Sequence, residues 1–559
     1  MEDSVGSRRW AAPSAWAALI LAALFGIAPL IPPPAADASA EPTEFSAQRA
    51  FVHIAALAGS PRPIGSQEIE TARAAIVAEL RSLGLEPRLQ TIVVPDYYGS
   101  PREVAVVNVM ARIAGSGSTG AVALMSHYDT VPTSPGANDN AAAVAAVLET
   151  GRALLAGDPL RNDVILLFTD GEEPAPRFGS AAFVAGHPWA ADVEFVINLE
   201  AIGSGGPSNL VAMVGPGRWV IDQYAAAVPH PAAFSYLTKT AELIGGSNTD
   251  LAPFRDDGKP GLETAYLHGS PIYHTAADSP EGVSLRSVQH HGANLLATTR
   301  HLGSLDLEEP VADTTMTFFT LGRSVVIRYP ATWDLLIALV GAAALLVAIG
   351  FTGTWRQTLR SAGYAFLTAF GSAVGVTLMW LPLGGMRNTM GIPESYLYLA
   401  LLTTLGAGIV LGAPRRFSRK GGRVAEPMGV VAMWSAFALV AAGAAPGFGY
   451  LFVWPALAGA VFLLAGALGS PGWYGTAGRT AIVGSIALVL LIPPIDTFYQ
   501  LAQPRPGNTD SQILAVILVP ALLIAMTIEL VSALSPRLLR GDGRFDPAHR
   551  LRPGGPATP

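Results

Sequence analysis

The chain has 559 residues, half of them hydrophobic and only 14% charged, which is too apolar for a water-soluble protein of this size and places part of it in lipid. Its net charge of -7 is unevenly shared: residues 42–328 hold 18 Lys and Arg against 30 Asp and Glu, while residues 329–559 hold 15 against 8. The acidic first part excludes nucleic acid as a partner, which needs a basic footprint, and the absence of cysteine excludes disulfides and thiolate metal sites, so any zinc must be held by His and carboxylate.

In chain order, Arg8 and Arg9 precede an apolar stretch at 16–31, followed by the small-residue segment AADASA at 35–40. Residues 1–41 therefore read as a signal anchor or a cleaved signal peptide, with the anchor preferred. Residues 42–306 alternate helical and strand patterns, which implies an α/β fold with a sheet flanked by helices. Helical spacing covers 50–58 and 68–83, with Gly84 as the stop of the second helix. Largely apolar runs at 104–113, 121–126, 163–169 and 193–199, most of them rich in β-branched residues, have strand length. Residues 307–330 form a linker whose segment TMTFFTLGRSVVIRY is able to pair as strands. Seven apolar runs follow, at 331–352, 361–383, 394–413, 428–445, 449–468, 480–498 and 512–534, making 331–535 a membrane domain and 536–559 a tail.

With the N terminus on the cytoplasmic side, thirteen Lys and Arg of the short loops and tail fall inside: Arg356, Arg360, the cluster from Arg415 to Arg423, Arg479, and Arg537 to Arg552. Only Arg387 and Arg505 fall outside. This positive-inside bias places residues 42–306 on the extracytoplasmic face and the tail in the cytoplasm, in a multi-pass protein of the plasma membrane.

The polar part carries a run of groups with metal-site character. His127 leaves an apolar run, and Asp129 two residues on is suited to accept its other ring N–H. Asp139 lies in GANDN, a turn opening the apolar helix 141–155, where an Asp can equally cap the helix. Glu172 and Glu173 directly follow VILLFT; neighbouring carboxylates there repel one another unless a cation or solvent compensates. Such a pair suits zinc hydrolysis, one carboxylate binding metal and the other taking a proton from the attacking water. Glu200 ends the next strand, and His274 lies in a turn-rich stretch. Because ligands gather beyond the carboxyl ends of strands in such sheets, His127, Glu172 and Glu200 are expected at one rim.

SHYDT at 126–130, GANDN at 136–140, DGEE at 170–173, NLEAIGSGG at 198–206 and YHTAAD at 273–278 occur in the order of the M28 family of zinc peptidases, which residues 43–305 resemble. With the stretch SNTDLAPFRDDGKPGLETAYL at 247–267 and the multi-span tail, the resemblance is to the membrane-bound branch of that family. It implies a zinc-exopeptidase-like mixed β-sheet and two zinc ions per chain: His127 and Glu200 on one, Glu173 and His274 on the other, Asp139 bridging. It further implies Glu172 as general base, Asp129 as the group orienting His127, and Tyr273 as a hydrogen-bond donor to the oxyanion. Many members carry Asp where Glu200 stands, and Ser-Asp-Thr-Asp where this chain has Ser-Asn-Thr-Asp, which removes any obvious role for Asn248.

The expected function is a membrane-anchored zinc-dependent exopeptidase, most simply an aminopeptidase acting on peptides, with the bilayer as its other partner and an oligomeric state the sequence does not give. Two alternatives belong to other classes. One is a catalytically inactive binding module; the other is a hydrolase accessory to a transporter, to which Asp496 and Glu529 in the spans would point.

Overall fold

A computed structural model describes residues 3–534 apart from 96, 99–102, 175–176, 244–247, 308–312, 391–395, 413–424, 469–475 and 508. The basic cluster Arg415 to Arg423, the tail 536–559 with Arg537 to Arg552, and the first residue of the SNTD stretch lie outside the described residues.

Helix α1 (Asp3–Ile27) leads into α2 (Ala47–Leu57) and α3 (Gln67–Ser82). Ser46 and Ser66 cap the latter two, each accepting a backbone N–H three residues on. Gly84 follows α3 with φ of 78°, the left-handed conformation that ends a helix. Seven strands then build one sheet: β1 (Arg88–Pro95), β2 (Glu103–Ile113), β3 (Ala121–His127), β4 (Asp163–Thr169), β5 (Val193–Ala201), β6 (Asn209–Val214) and β7 (Gly261–Tyr266). Their spatial order is β1-β2-β4-β3-β5-β7-β6. The central β4, β3, β5 and β7 are parallel, while β1, β2 and β6 pair antiparallel, so the sheet is mixed.

Every residue of β3 and β4 is buried, as central parallel strands covered on both faces require. One face is covered by α2, α3, α4 (Ala143–Leu155), α6 (Gly217–Ala227) and α9 (Leu285–Leu302), which share a core with Val122, Leu124, Leu166 and Ile197. The other carries α5 (Phe178–Gly186) and α8 (Leu251–Asp256) on Met125, Ile165 and Val196. Helix α7 (Ser235–Leu243) lies beside β6.

The linker forms a hairpin of β8 (Met316–Leu321) and β9 (Val325–Pro330), which pair with each other. Beyond it run α10 (Thr332–Thr352), α11 (Trp355–Met390), α12 (Tyr396–Gly412), α13 (Ala425–Ala444), α14 (Tyr450–Ala467), α15 (Thr476–Leu501) and α16 (Asp510–Leu534). Among the described residues seven helices are long and apolar enough to cross a membrane, α1 included, and α12 is a shorter apolar helix. Leu336, Leu346, Phe351, Leu367 and Leu397 stand exposed on them, as side chains facing lipid would. Helix α1 packs along α15 at small residues: a Cβ on Gly26 would lie 3.0 Å from the Leu488 carbonyl, and one on Gly484 2.7 Å from Leu19.

The helical bundle is not merely tethered to the sheet domain. Phe234, Tyr236, Leu267 and Phe319 share a core with Val431, Trp434, Tyr450 and Phe498. Polar contacts cross the same junction. Ser235 Oγ donates to the Gly447 carbonyl (2.8 Å), Tyr236 and Thr497 join through their hydroxyls (2.7 Å), and Ser270 Oγ donates to the Gln500 carbonyl (3.0 Å). Asp496, buried in α15, holds His268 Nε2 at 2.8 Å and accepts from Tyr396 (3.1 Å). One of the two carboxylates that a transport reading singles out is thus bonded to the sheet domain.

Candidate metal centre

The order of the strands dictates where the polar groups meet. β3, β4 and β5 lie side by side and run parallel, so their carboxyl ends share one rim. There His127 is the last residue of β3, Glu172 and Glu173 follow β4, and Glu200 is near the end of β5. His127 Nε2 lies 3.3 Å from Asp139 Oδ1 and 3.6 Å from Glu200 Oε2. His274 Nε2 lies 3.2 Å from Asp139 Oδ2 and 3.1 Å from Glu173 Oε2. The result is two three-residue groups, His127–Asp139–Glu200 and Asp139–Glu173–His274, whose donor atoms fall within 4.8 Å of one another and which share Asp139.

The turn around Asp139 decides between its two sequence readings. Asp139 has φ -111° and ψ 85°, outside the helical region, and α4 starts at Ala143 with no side-chain cap. Its carboxylate therefore faces the histidines and caps nothing. Asp278 holds this geometry: its Oδ1 accepts from the Asn138 amide and side chain (2.8 Å each), and its Oδ2 from the Asp139 amide (3.1 Å). Asn140 Nδ2 donates to Glu200 Oε2 (3.1 Å). Arg62, wholly buried, donates to the carbonyls of Leu57, Tyr128, Pro135 and Gly136 around the same turn.

The remaining expected residues surround this pair of groups. Asp129 binds the backbone amides of Glu172 (3.1 Å) and Glu173 (3.2 Å) through its carboxylate. His127 Nδ1 is 3.5 Å from that carboxylate and 3.2 Å from the Asp129 carbonyl oxygen, so the ring is held by the residue's main chain as well as its side chain. Glu172 stays outside the two ligand groups and pairs with Arg177 Nε at 2.9 Å. The Tyr273 ring stacks on that of His274, centroids 3.7 Å apart. Asn248 contributes its carbonyl to Arg177.

The electrostatics reflect buried carboxylates crowded around two histidines. Burial, against the pull of His127, raises Glu200 to about 7 and also raises Glu172 and Glu173. Burial opposes the charge on His274, but Asp139 and Glu173 outweigh it and lift the imidazole to about 10. Asp129, Asp139 and Glu200 likewise outweigh burial at His127 and hold it well above the imidazole range. Glu173 Oε1 and His274 Nε2 are buried without a hydrogen-bond partner among the described residues, although carboxylate oxygens lie close to the latter. Close approach without hydrogen-bond alignment is the arrangement of donors aimed at a shared ion. The all-N/O donor set, three residues per group with one shared, fits zinc.

Sequence reasoning did not single out Arg62, Asn138, Asn140, Arg177 or Asp278 as supports of the centre. Asp278 was legible in one respect, as the last residue of YHTAAD; the others act through contacts that no local pattern marks.

Comparison with known proteins gives these groups a context. Residues 108–299 match the family model described as Peptidase family M28. Endoplasmic reticulum metallopeptidase 1 of Mus musculus is 31% identical over 291 residues, 49% of this chain and 32% of that protein. The vacuolar membrane protease of Candida albicans strain SC5314 is 29% identical over 272 residues, 48% of this chain and 32% of that protein. The match thus spans about a third of the length of these relatives. Among solved structures, an aminopeptidase from Aneurinibacillus sp. strain AM-1 aligns over 49% of this chain and 98% of its own, at 16% identity and a TM-score of 0.39. Glutaminyl cyclase of Porphyromonas gingivalis aligns over 46% and 98%, at 20% identity and a TM-score of 0.38. Residues 108–299 thus match the M28 peptidase family, in a chain that continues into a helical domain with several apolar helices, and the relatives it resembles include an endoplasmic reticulum metallopeptidase and a vacuolar membrane protease.

Proposed function

We propose that this protein is a membrane-anchored zinc exopeptidase that removes residues from the free N terminus of peptides on the extracytoplasmic side of the plasma membrane. The observation that carries the reading is Asp139, placed between two histidines that each have a further carboxylate alongside. In this reading His127, Asp139 and Glu200 would hold one zinc, and Asp139, Glu173 and His274 a second. Bound zinc would supply Lewis acidity and an acidified water at neutral pH.

The chain's own groups account for the rest. Glu172, buried and kept out of the ligand groups, takes the proton of the attacking water on one carboxylate oxygen and passes it to the leaving nitrogen; Arg177 steadies the other oxygen. Burial raises the affinity of Glu172 for that proton, as a base that must later act as an acid requires. Asp129 holds the Glu172–Glu173 backbone and the His127 ring in one frame. Tyr273, stacked on His274, offers its hydroxyl to the developing oxyanion. The substrate amine binds beside Glu200. Retention of α1 as an anchor is supported by its packing along α15. A purely binding role is disfavoured by the presence of Glu172, and the bonding of Asp496 to His268 gives that carboxylate a structural partner in place of a transport role.

The test is hydrolysis of matched peptides with free and acetylated N termini by purified full-length protein and by Glu172→Ala. Zinc-dependent cleavage of the free-amine peptides alone, lost in the variant, is the expected result. Cleavage of both peptide sets, or activity that survives the substitution, would overturn the reading.

A further inference from the structure

Arg505 is one of two loop arginines that the positive-inside pattern leaves on the side opposite to the rest. It lies just past α15, in the connection to α16, close to where Ser270 bonds the Gln500 carbonyl. That contact brings the connection against the 270–274 loop, so a residue of the membrane domain reaches the edge of the candidate centre. Its guanidinium sits over the Tyr273 ring, with Cζ 5.8 Å from the centroid, and the other partner of that ring is His274. Arg505 is half-buried, and its Nη1 is buried without a hydrogen-bond partner among the described residues. No carboxylate among those residues forms an ion pair with it.

A guanidinium taken from water without a counter-charge is costly. Stacking on an aromatic ring compensates only in part, by about 0.5–2 kcal/mol. The planar fork, left with free donors, matches a carboxylate in two-point geometry. We propose that Arg505 is a specificity residue that binds a carboxylate of the substrate on the leaving-group side of the centre, so that the membrane domain selects which peptides are cleaved. This rests on the peptidase reading above. The carboxylate is either the C terminus of a short peptide or an acidic side chain of a longer one, and the anion lies on the Tyr273 side of the ligands.

The test compares wild type, Arg505→Gln and Arg505→Lys, as detergent-purified full chains, on Leu-Phe, Leu-Phe-amide and Leu-Glu-amide. Wild type is expected to show a KM lower by about 10- to 100-fold for a carboxylate-bearing peptide than for Leu-Phe-amide, the range for a charged hydrogen-bonded contact. Arg505→Gln abolishes the difference by raising KM for the acid alone, and Arg505→Lys restores part of it. Preference for Leu-Phe identifies the C-terminal carboxylate, and preference for Leu-Glu-amide the side chain. An equal fall in kcat for all three peptides would assign Arg505 a structural role and overturn the proposal, as would an unchanged preference in Arg505→Gln. If no peptide is cleaved, calorimetry with the reduced-amide isostere of Leu-Phe, as free acid and as amide, decides independently. Preferential binding of the acid, lost in Arg505→Gln, upholds the carboxylate site while the peptidase reading fails; equal binding overturns the proposal.

Discussion

Replacing Asp278 by Ala probes how the shared ligand is positioned without touching a ligand. Asp278 is 1% exposed, and its carboxylate accepts three N–H bonds, two from Asn138 and one from Asp139. It also belongs to the loop that carries His274, so one side chain ties the turn of the shared ligand to the loop of a second ligand. Removing it strands three buried donors at about 1–3 kcal/mol each before water enters the gap, so a loss of roughly 2–5 kcal/mol in stability is expected. Loss of such an outer support typically weakens metal binding by about 10- to 100-fold. The assay is competition for zinc against a chelator of known affinity at fixed pH, with thermal unfolding of the metal-free protein alongside. Asp278→Asn, which keeps an acceptor but adds an N–H, should fall between wild type and Ala. Zinc affinity within twofold of wild type in a destabilised Asp278→Ala protein would refute the argument, since Asp278 would then support the fold and not the centre.

Arg62→Met should lower stability by about 3 kcal/mol by leaving the carbonyls of Leu57, Tyr128 and Pro135 unpaired, Gly136 keeping its bond from the Ala141 amide, measured as a fall in the denaturation midpoint; a shift under 1 kcal/mol would contradict it. The metal-free protein should lose stability as pH rises. Glu200 and His274 both have folded-state pKa values above their ordinary 4.5 and 6.5, so their contributions are fully present below those ordinary values. The Glu200 share is lost as pH climbs through about 7, and the His274 share as it climbs through about 10. Zinc, which displaces these protons, should therefore raise Tm more at pH 8 than at pH 5.5; an equal rise at both would argue against binding at these groups. Asp496→Asn should weaken the junction with His268, lowering Tm while leaving KM for a peptide amide within a few-fold, and abolition of hydrolysis at unchanged Tm would show that α15 does more than hold the domain.

Much of the candidate centre was legible because strand ends are easy to read. His127, Glu172 and Glu200 follow apolar runs that became β3, β4 and β5, and parallel order alone then puts them on one rim. Asp139 was ambiguous, since an Asp before an apolar helix is a cap by local rules, and only tertiary approach of two histidines draws it away. β7 was missed because Glu263 interrupts its apolar pattern; its partners Asn198 and Thr249 come from other segments. β1 was missed as well, an edge strand with alternating exposed residues. The hairpin β8–β9 was anticipated as strands, though not that they would pair with each other. The junction with the membrane bundle was invisible, because His268 with Asp496 and Tyr273 with Arg505 are more than 200 residues apart and nothing local marks them as each other's partners.

The measurement that tests the central claim most directly is the zinc content of the purified full chain, with His127→Ala, His274→Ala, Asp139→Ala and Glu172→Ala beside wild type. Two zinc ions in wild type and in Glu172→Ala, a reduced content with either histidine removed, and the greatest loss with Asp139→Ala are the predicted results. Wild-type protein without zinc, or an Asp139→Ala variant that retains its full complement, would contradict the account.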